Sequence, residues 1–247
     1  MSRIKNILRA AVIALLVIGS IWYFNRLEST QYVPVNEDPE GSYSIADSDP
    51  GSIPDYSGND QVVLNENIPL FTKYDLENAS GEKYSEPDGL GRCHTAIVML
   101  DRSMAPAHER DYDALKAITP TGYRQKKYPG IIDHDPPYLY NRCHLIAYAM
   151  TGQTANEKNL ITGTHYMNTV TMLPYEEQIL RYLYNSGNHV LYRVSPYFKG
   201  RELVARGLEL EAYSVEDHGA GLCFHVFIYN VQPGIRIDYA SGESWKE

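Results

Sequence analysis

Nothing restricts the fold of this 247-residue chain more than the way its charge is laid out along the first sixty residues. Arg3, Lys5 and Arg9 precede an uncharged run from Ala10 to Phe24, and residues 1–27 hold four cations and no acid. Residues 28–60 invert this: Glu28, Glu37, Asp38, Glu40, Asp47, Asp49, Asp55 and Asp60 stand among Ser, Pro, Gly and Tyr with no Lys or Arg. The apolar run is shorter than the roughly 17–25 residues a spanning helix needs. Ile7 and Leu8 extend it if Arg9 snorkels to the interface. Basic residues ahead of such a run predict a cytoplasmic N-terminus and an external C-terminus. No A-x-A pattern follows, and Ile21-Trp22-Tyr23-Phe24-Asn25-Arg26 reads as an interfacial belt, so an uncleaved anchor is favoured over a cleavable signal peptide, which would make the protein secreted. The eight acids repel one another and extend their segment. The expected organisation is therefore a membrane anchor or signal at 1–26, an acidic disordered tether at 27–60, and one domain at 61–247.

Discounting those terminal segments changes what the net charge of −9 means, because the remaining 187 residues then carry only −5. A strongly basic nucleic-acid-binding domain is excluded, while a local basic track is not. Arg124, Lys126 and Lys127 form the one basic run, suited either to a solvated loop or to contact with a nucleic-acid backbone. Cys93, Cys143 and Cys223 include no CxxC pair, which argues against a structural zinc site of the usual spacing. Three cysteines permit at most one disulfide, and the sequence leaves open whether any forms.

Beyond residue 60 the pattern is one of strands with few helices. Ala96–Leu100, His189–Val194, Leu203–Ala212 and Leu222–Tyr229 read as strands, and Lys158–Thr164 as a strand or loop. Arg110–Ile118 and Tyr175–Tyr184, the latter behind Pro174, read as helices. The fold class expected is α+β, with a central antiparallel sheet and flanking helices.

Polar side chains concentrate between Asn141 and Arg181. Phosphodiester hydrolysis needs a base for water, a charge to stabilise the phosphorane, and something to stabilise the leaving oxygen. A neutral His suits the first task near pH 7. A Mg2+ ion, which keeps most of its waters on one or two protein oxygens, suits the others. Within this segment Asn141-Arg142-Cys143-His144 resembles the D-R-G-H motif of the DNA/RNA non-specific endonucleases, and Asn159 to Asn168 resembles that family's metal-binding segment. The likeness is greatest to its branch of secreted DNases and DNA-entry nucleases of Gram-positive bacteria. It continues through Met172–Glu176, His189–Val194 and Tyr229–Gly234, with Gly91-Arg92-Cys93 and Pro120–Tyr123 upstream, and so covers about residues 66–240.

The resemblance implies a ββα-metal finger in which His144 is the base, Asn168 the metal ligand, and Glu176, with Glu177 as rival, the helix acid that holds a metal-bound water. Arg142 and Arg181 become candidates for phosphate contact, and Arg124, Lys126 and Lys127 for nucleic-acid binding. It implies Mg2+, with Mn2+ as substitute, and cleavage of DNA, and possibly RNA, with little sequence preference outside the membrane. The alternative is a catalytically silent relative that binds nucleic acid or a surface partner. Two positions depart from the motif. Asn141 replaces Asp but offers similar hydrogen bonding, and Cys143 replaces Gly, which argues against a positive φ there.

Overall fold

The computed structural model describes residues 41–247 together with Val35, Glu37 and Asp38; the segment expected as the anchor, 1–26, lies outside the described residues. Among the described residues no helix is long and apolar enough to cross a membrane. The strands are β1 (Gln61–Val63), β2 (Glu82–Tyr84), β3 (Ala96–Leu100), β4 (Tyr140–His144), β5 (Leu160–Thr164), β6 (Val190–Tyr197), β7 (Gly207–Ser214), β8 (Cys223–Tyr229), β9 (Ile235–Ile237) and β10 (Ser244–Lys246). The α-helices are α1 (Ile45–Ser48), α2 (Lys73–Asn78), α3 (Tyr112–Ala117), α4 (Tyr148–Thr151) and α5 (Leu173–Ser186). Six strands form one antiparallel sheet in the order β1-β8-β7-β6-β3-β2, while β4–β5 and β9–β10 are separate two-stranded ribbons. The expected α+β class, with its central antiparallel sheet and its ββα element (β4, β5 and α5), is the fold observed.

The centre of the sheet is covered on both sides, and the period-two alternation of side chains divides its residues cleanly. Val98, Val190, Tyr192, Val194, Leu210, Ala212 and Val226 point to one face and pack with Cys143, Ile161, Met172, Ile179 and Leu183 of the ββα element. Helix α5 earns that place because Pro174 suits a first turn and Ile179 and Leu183 share one face. It ends at Gly187, whose φ of +71° and N–H bond to the Leu183 carbonyl stop the helix. Strand β7 begins at Gly207, later than the expected Leu203, because the N–H groups of Leu203 and Val204 bond the Tyr239 carbonyl and not a strand of the sheet; at Gly207 β8 passes so closely that a Cβ would lie 2.3 Å from the Ile228 carbonyl oxygen.

The opposite face corrects one expectation. Residues 41–60, read from composition as the end of a disordered tether, pack instead on the sheet. Ala46 and Ile53 join Leu64, Phe227 and Tyr229, and Val35 lies against the cluster of Phe71, Leu191 and Tyr213. The acids of this segment have local partners. Asp47 bonds Ser44 and Thr95, and the Ser44 hydroxyl caps α1. The sheet supplies the anchor, since Glu209 accepts the N–H groups of Ile45 and Ala46 at 3.0 and 2.6 Å. Mutual repulsion was the wrong guide because an apolar sheet face must be covered by something, and this segment carries the apolar residues that cover it.

Candidate active site

The hairpin-like pair β4–β5 fixes His144 at a strand end. Along β4 Cys143 is buried in the core, while Asn141 and Arg142 are half-buried and line a cleft. Cysteine fits at this position because Gly163 passes beside it on β5, where a Cβ would stand 2.6 Å from that of Cys143. The chain after His144 is clamped by the buried Asn159, whose carboxamide accepts the Ile146 N–H at 2.8 Å and donates to the Ile146 carbonyl at 3.0 Å. From β5 the chain enters a π-helical turn, Met167–Met172, before α5. Such widened turns recur at functional sites, and this one carries Asn168. His144 and Asn168, twenty-four residues apart in the chain, line a single cavity of about 510 Å3 together with Asn141, Arg142 and Arg110.

The state of the His144 imidazole follows from its partners. Nε2 lies 2.9 Å from the Thr154 carbonyl, which can only accept, so Nε2 carries a proton. Nδ1 lies 2.8 Å from Arg110 Nη2, which can only donate, so Nδ1 presents its lone pair. Nη2 is also 3.3 Å from Nε2, but the proton there is committed to Thr154. Burial and the neighbouring guanidinium push the imidazole down to about 4, against the Thr154 carbonyl, which favours the charged form. The ring is therefore neutral near pH 7, with Nδ1 unprotonated and its lone pair directed at Arg110.

Arg110 also bears on Glu176. Burial raises this carboxyl to about 7, with Arg110 opposing the rise and Glu177 adding to it. Glu176 is half-buried and close enough to Tyr192 and Cys143 to raise the pKa of both, whereas Glu177 is exposed. Two buried polar atoms around this carboxylate lack a partner, Arg110 Nε and the Tyr192 hydroxyl. The Asn168 carboxamide, half-buried at the cavity, has no hydrogen bond to any described residue.

The other expected contacts fare differently. Arg142 lines the cavity, yet its guanidinium donates to the carbonyls of Ile118 at 2.5 Å and Lys116 at 3.0 Å and lies over the Tyr123 ring, so it braces the segment after α3. Arg181 is exposed on α5 and is not among the residues lining the cavity. Arg124 is exposed. Lys126 is held by the Ser244 carbonyl and Glu243, and Lys127 lies 4.9 Å from the centre of the Tyr138 ring. All three cysteines are free, with Cys93 and Cys143 buried. Burial raises the Cys143 thiol, which makes it an unreactive core residue. The sequence offered no signal for Arg110: it stands in His108-Glu109-Arg110-Asp111, outside every motif.

The model of the DNA/RNA non-specific endonuclease family matches residues 72–216, more than half of the chain and a stretch that includes His144, Asn168 and Glu176. The chain belongs to the DNA/RNA non-specific endonuclease family. Its fold is similar to that of NucA from Streptococcus agalactiae, solved with magnesium ion bound, at 25% identity and a TM-score of 0.65, covering 80% of this chain and 93% of that one. The same NucA with no metal bound matches at 26% identity and the same TM-score. The Sda1 nuclease with bound zinc ion shares the fold at 20% identity and a TM-score of 0.60, over 83% of this chain and all of that one.

Membership in the DNA/RNA non-specific endonuclease family makes this chain a nuclease and implies a nucleic-acid substrate and a metal ion. Among the described residues, two places come into question for such an ion. In the cleft the free carboxamide of Asn168 is a hard donor suited to an ion that keeps its waters, and Glu176, which does not itself line the cavity, carries an unbonded carboxylate that interacts with the cavity's Arg110. On the far face of the sheet, Glu209, Glu211 and His225 bring ligand atoms within 4.8 Å of one another. There, however, Glu209 bonds Ile45, Ala46 and His225, Glu211 bonds Leu70 and Arg193, and His225 Nδ1 donates to the Ile68 carbonyl. The cleft fits the family's metal, and the satisfied cluster does not.

Proposed function

We propose that the protein is a Mg2+-dependent endonuclease that hydrolyses phosphodiester bonds of DNA, and also of RNA, with little sequence preference. The observation that carries this reading is the meeting of a neutral His144, whose Nδ1 lone pair is covered only by the Arg110 guanidinium, and an unpartnered Asn168 in one cavity of about 510 Å3. Asn168 would hold the cation, and Glu176 would accept from its water shell. When bound, such an ion would supply positive charge that stabilises the phosphorane and the departing oxygen.

Every other part belongs to the chain itself. Thr154 holds the imidazole ring in the tautomer that leaves Nδ1 unprotonated. An incoming phosphodiester offers Arg110 an anionic acceptor, and a charge-assisted bond to it is stronger than the bond to a neutral ring nitrogen. Arg110 then moves its charge from His144 to the phosphate, where it stabilises the phosphorane. Loss of that neighbouring cation strengthens Nδ1 as a base. Nδ1 takes a proton from water, the hydroxide attacks phosphorus in line, and the bond to O3′ breaks; the departing O3′ takes a proton from a solvent water on the far side, leaving a 5′-phosphate and a 3′-hydroxyl, and the imidazolium returns its proton to solvent. Arg142 would act through the cleft wall it braces, without touching phosphate.

The resemblance of the motifs to those of secreted nucleases of Gram-positive bacteria and the basic-then-apolar N-terminus support action outside the membrane, with residues 1–26 as the anchor. Cleavage by the extracellular domain would then degrade environmental DNA or process it during uptake. A plasmid-nicking assay with Mg2+, repeated with EDTA, tests the reading. The expected result is metal-dependent nicking that His144→Ala abolishes. DNA binding without nicking by the wild-type protein would identify a silent relative instead.

A further inference from the structure

The cleft is poor in available cations and rich in exposed aromatic rings. Of the cations that line it, Arg110 lies against His144, Arg142 is bonded to backbone carbonyls, and Lys116 is left, in an exposed pair with Asp113; Lys126, outside the lining, is held by the Ser244 carbonyl. The chain as a whole is acidic, at −9. Duplex binding draws its affinity from neutralised phosphates, and this surface has few charges left to neutralise them. Yet Tyr112 and Tyr138 both line the cavity and are 62% and 38% exposed. Tyr112 stands in the first turn of α3, away from any core cluster, and packing does not require an aromatic there. The Arg110 guanidinium lies 6.0 Å from the centre of the Tyr112 ring while its Nη2 lies 2.8 Å from His144 Nδ1. A base attached to a phosphate held at Arg110 is therefore within reach of that ring. Lys127 lies against the Tyr138 ring and sets a cation beside a stacking surface.

We infer that Tyr112 and Tyr138 are stacking platforms for unpaired bases flanking the cleaved phosphate, so that the enzyme favours single-stranded nucleic acid over duplex. The inference rests on the cleft being the nuclease site. Bases within a duplex are already stacked on one another and can use these rings only after unstacking, which costs a few kcal/mol. An unpaired base pays no such cost, and stacking on an aromatic side chain is worth about 1–3 kcal/mol per base. Cations beside the rings add to that attraction.

The test compares a fluorescent single-stranded oligonucleotide with the duplex of the same sequence. Binding is read by anisotropy on the full chain in EDTA, and kcat/KM with Mg2+ at one salt concentration. Tyr112→Ala and Tyr138→Ala should each weaken single-strand binding by about tenfold, within the roughly 5- to 150-fold that one stacked base represents. The loss on duplex should be at least several-fold smaller. Tyr112→Phe and Tyr138→Phe, which keep the ring, should bind the single strand as the wild type does. Equal losses on both substrates, no loss on the single strand, or a loss in the Phe variants equal to that in the Ala variants would overturn the inference. Because the anisotropy arm needs no turnover, the two ideas fail separately. Wild-type protein that cuts nothing but shows the Ala-specific loss keeps the platforms and sinks the nuclease reading; normal cleavage with unaffected Ala variants does the reverse.

Discussion

His144 and His225 are both buried histidines anchored through one ring nitrogen to a backbone carbonyl, and they lie on opposite faces of the sheet. What differs is the sign of the second partner. The remaining nitrogen of His144 meets the Arg110 guanidinium, and burial together with that charge drives the ring down to about 4. The remaining nitrogen of His225 meets the Glu209 carboxylate at 2.6 Å, and Glu209 with Glu211 raises it above its ordinary value against the cost of burial. One ring is kept as a neutral base at a cleft. The other is kept as a cation inside a network that ties Ile45, Ala46, Ile68 and Leu70 to the sheet. A buried imidazole is thus a reagent or a fastening according to whether its second neighbour is a cation or an anion.

The contrast is broken most sharply by removing each ring. His144→Ala should lower kcat by about 10²–10⁴-fold with little change in Tm; retention of a tenth of the activity would mean that the base lies elsewhere. His225→Ala leaves buried carboxylates uncompensated and should cost about 3–5 kcal/mol of stability, read from denaturant melts, while the activity per folded molecule stays close to wild type. Exchanging the sign at the cleft is the next test. Arg110→Glu should give His144 the surroundings of His225, raising its pKa in an NMR titration and lowering kcat by about 10²–10³-fold. A His144 titration unchanged by this substitution would dissolve the comparison. Asn168→Ala should raise the Mg2+ concentration for half-activation by about tenfold or more, whereas an unaltered Mg2+ response would remove Asn168 from the site.

The smallest effects are in the pH dependence of stability, and they have opposite signs. His144 is held below its unfolded value, so its contribution is present above pH 6.5 and is lost as pH falls from there toward 4, where the unfolded chain takes a proton that the folded one refuses. His225 is held above its unfolded value, so its contribution is present below pH 6.5 and is lost as pH rises through its folded value. His144→Gln should therefore flatten the acid side of the stability curve and His225→Gln the alkaline side, each by something on the order of 1 kcal/mol per unit of pKa shift removed. The same sign of change in both variants would contradict the assignment.

The two faces also differ in how far they could be read from residues alone. The cleft side was largely legible. The strands β3, β6 and β8 and the helix behind Pro174 follow from periodicity, and His144 and Asn168 sit in an ordered series of motifs that the fold brings to one cavity. The π-helical turn at Asn168 was not, because a period of 3.6 does not anticipate one widened turn. Arg110 was invisible because its place depends on how the segment before α3 packs, and the bracing bonds of Arg142 were invisible because its carbonyl partners, Lys116 and Ile118, lie more than twenty residues away along the chain. The opposite face was misjudged. Counting eight acids without bases suggests repulsion, but says nothing about a sheet face whose Glu209 awaits the backbone of Ile45 and Ala46.

Anomalous diffraction from crystals soaked in Mn2+ bears most directly on the claim that the cleft is the metal-dependent centre. The account predicts one strong peak within coordination distance of Asn168 Oδ1 and beside His144, with the Glu209–Glu211–His225 cluster empty. A peak among Glu209, Glu211 and His225, with none at Asn168, would contradict it.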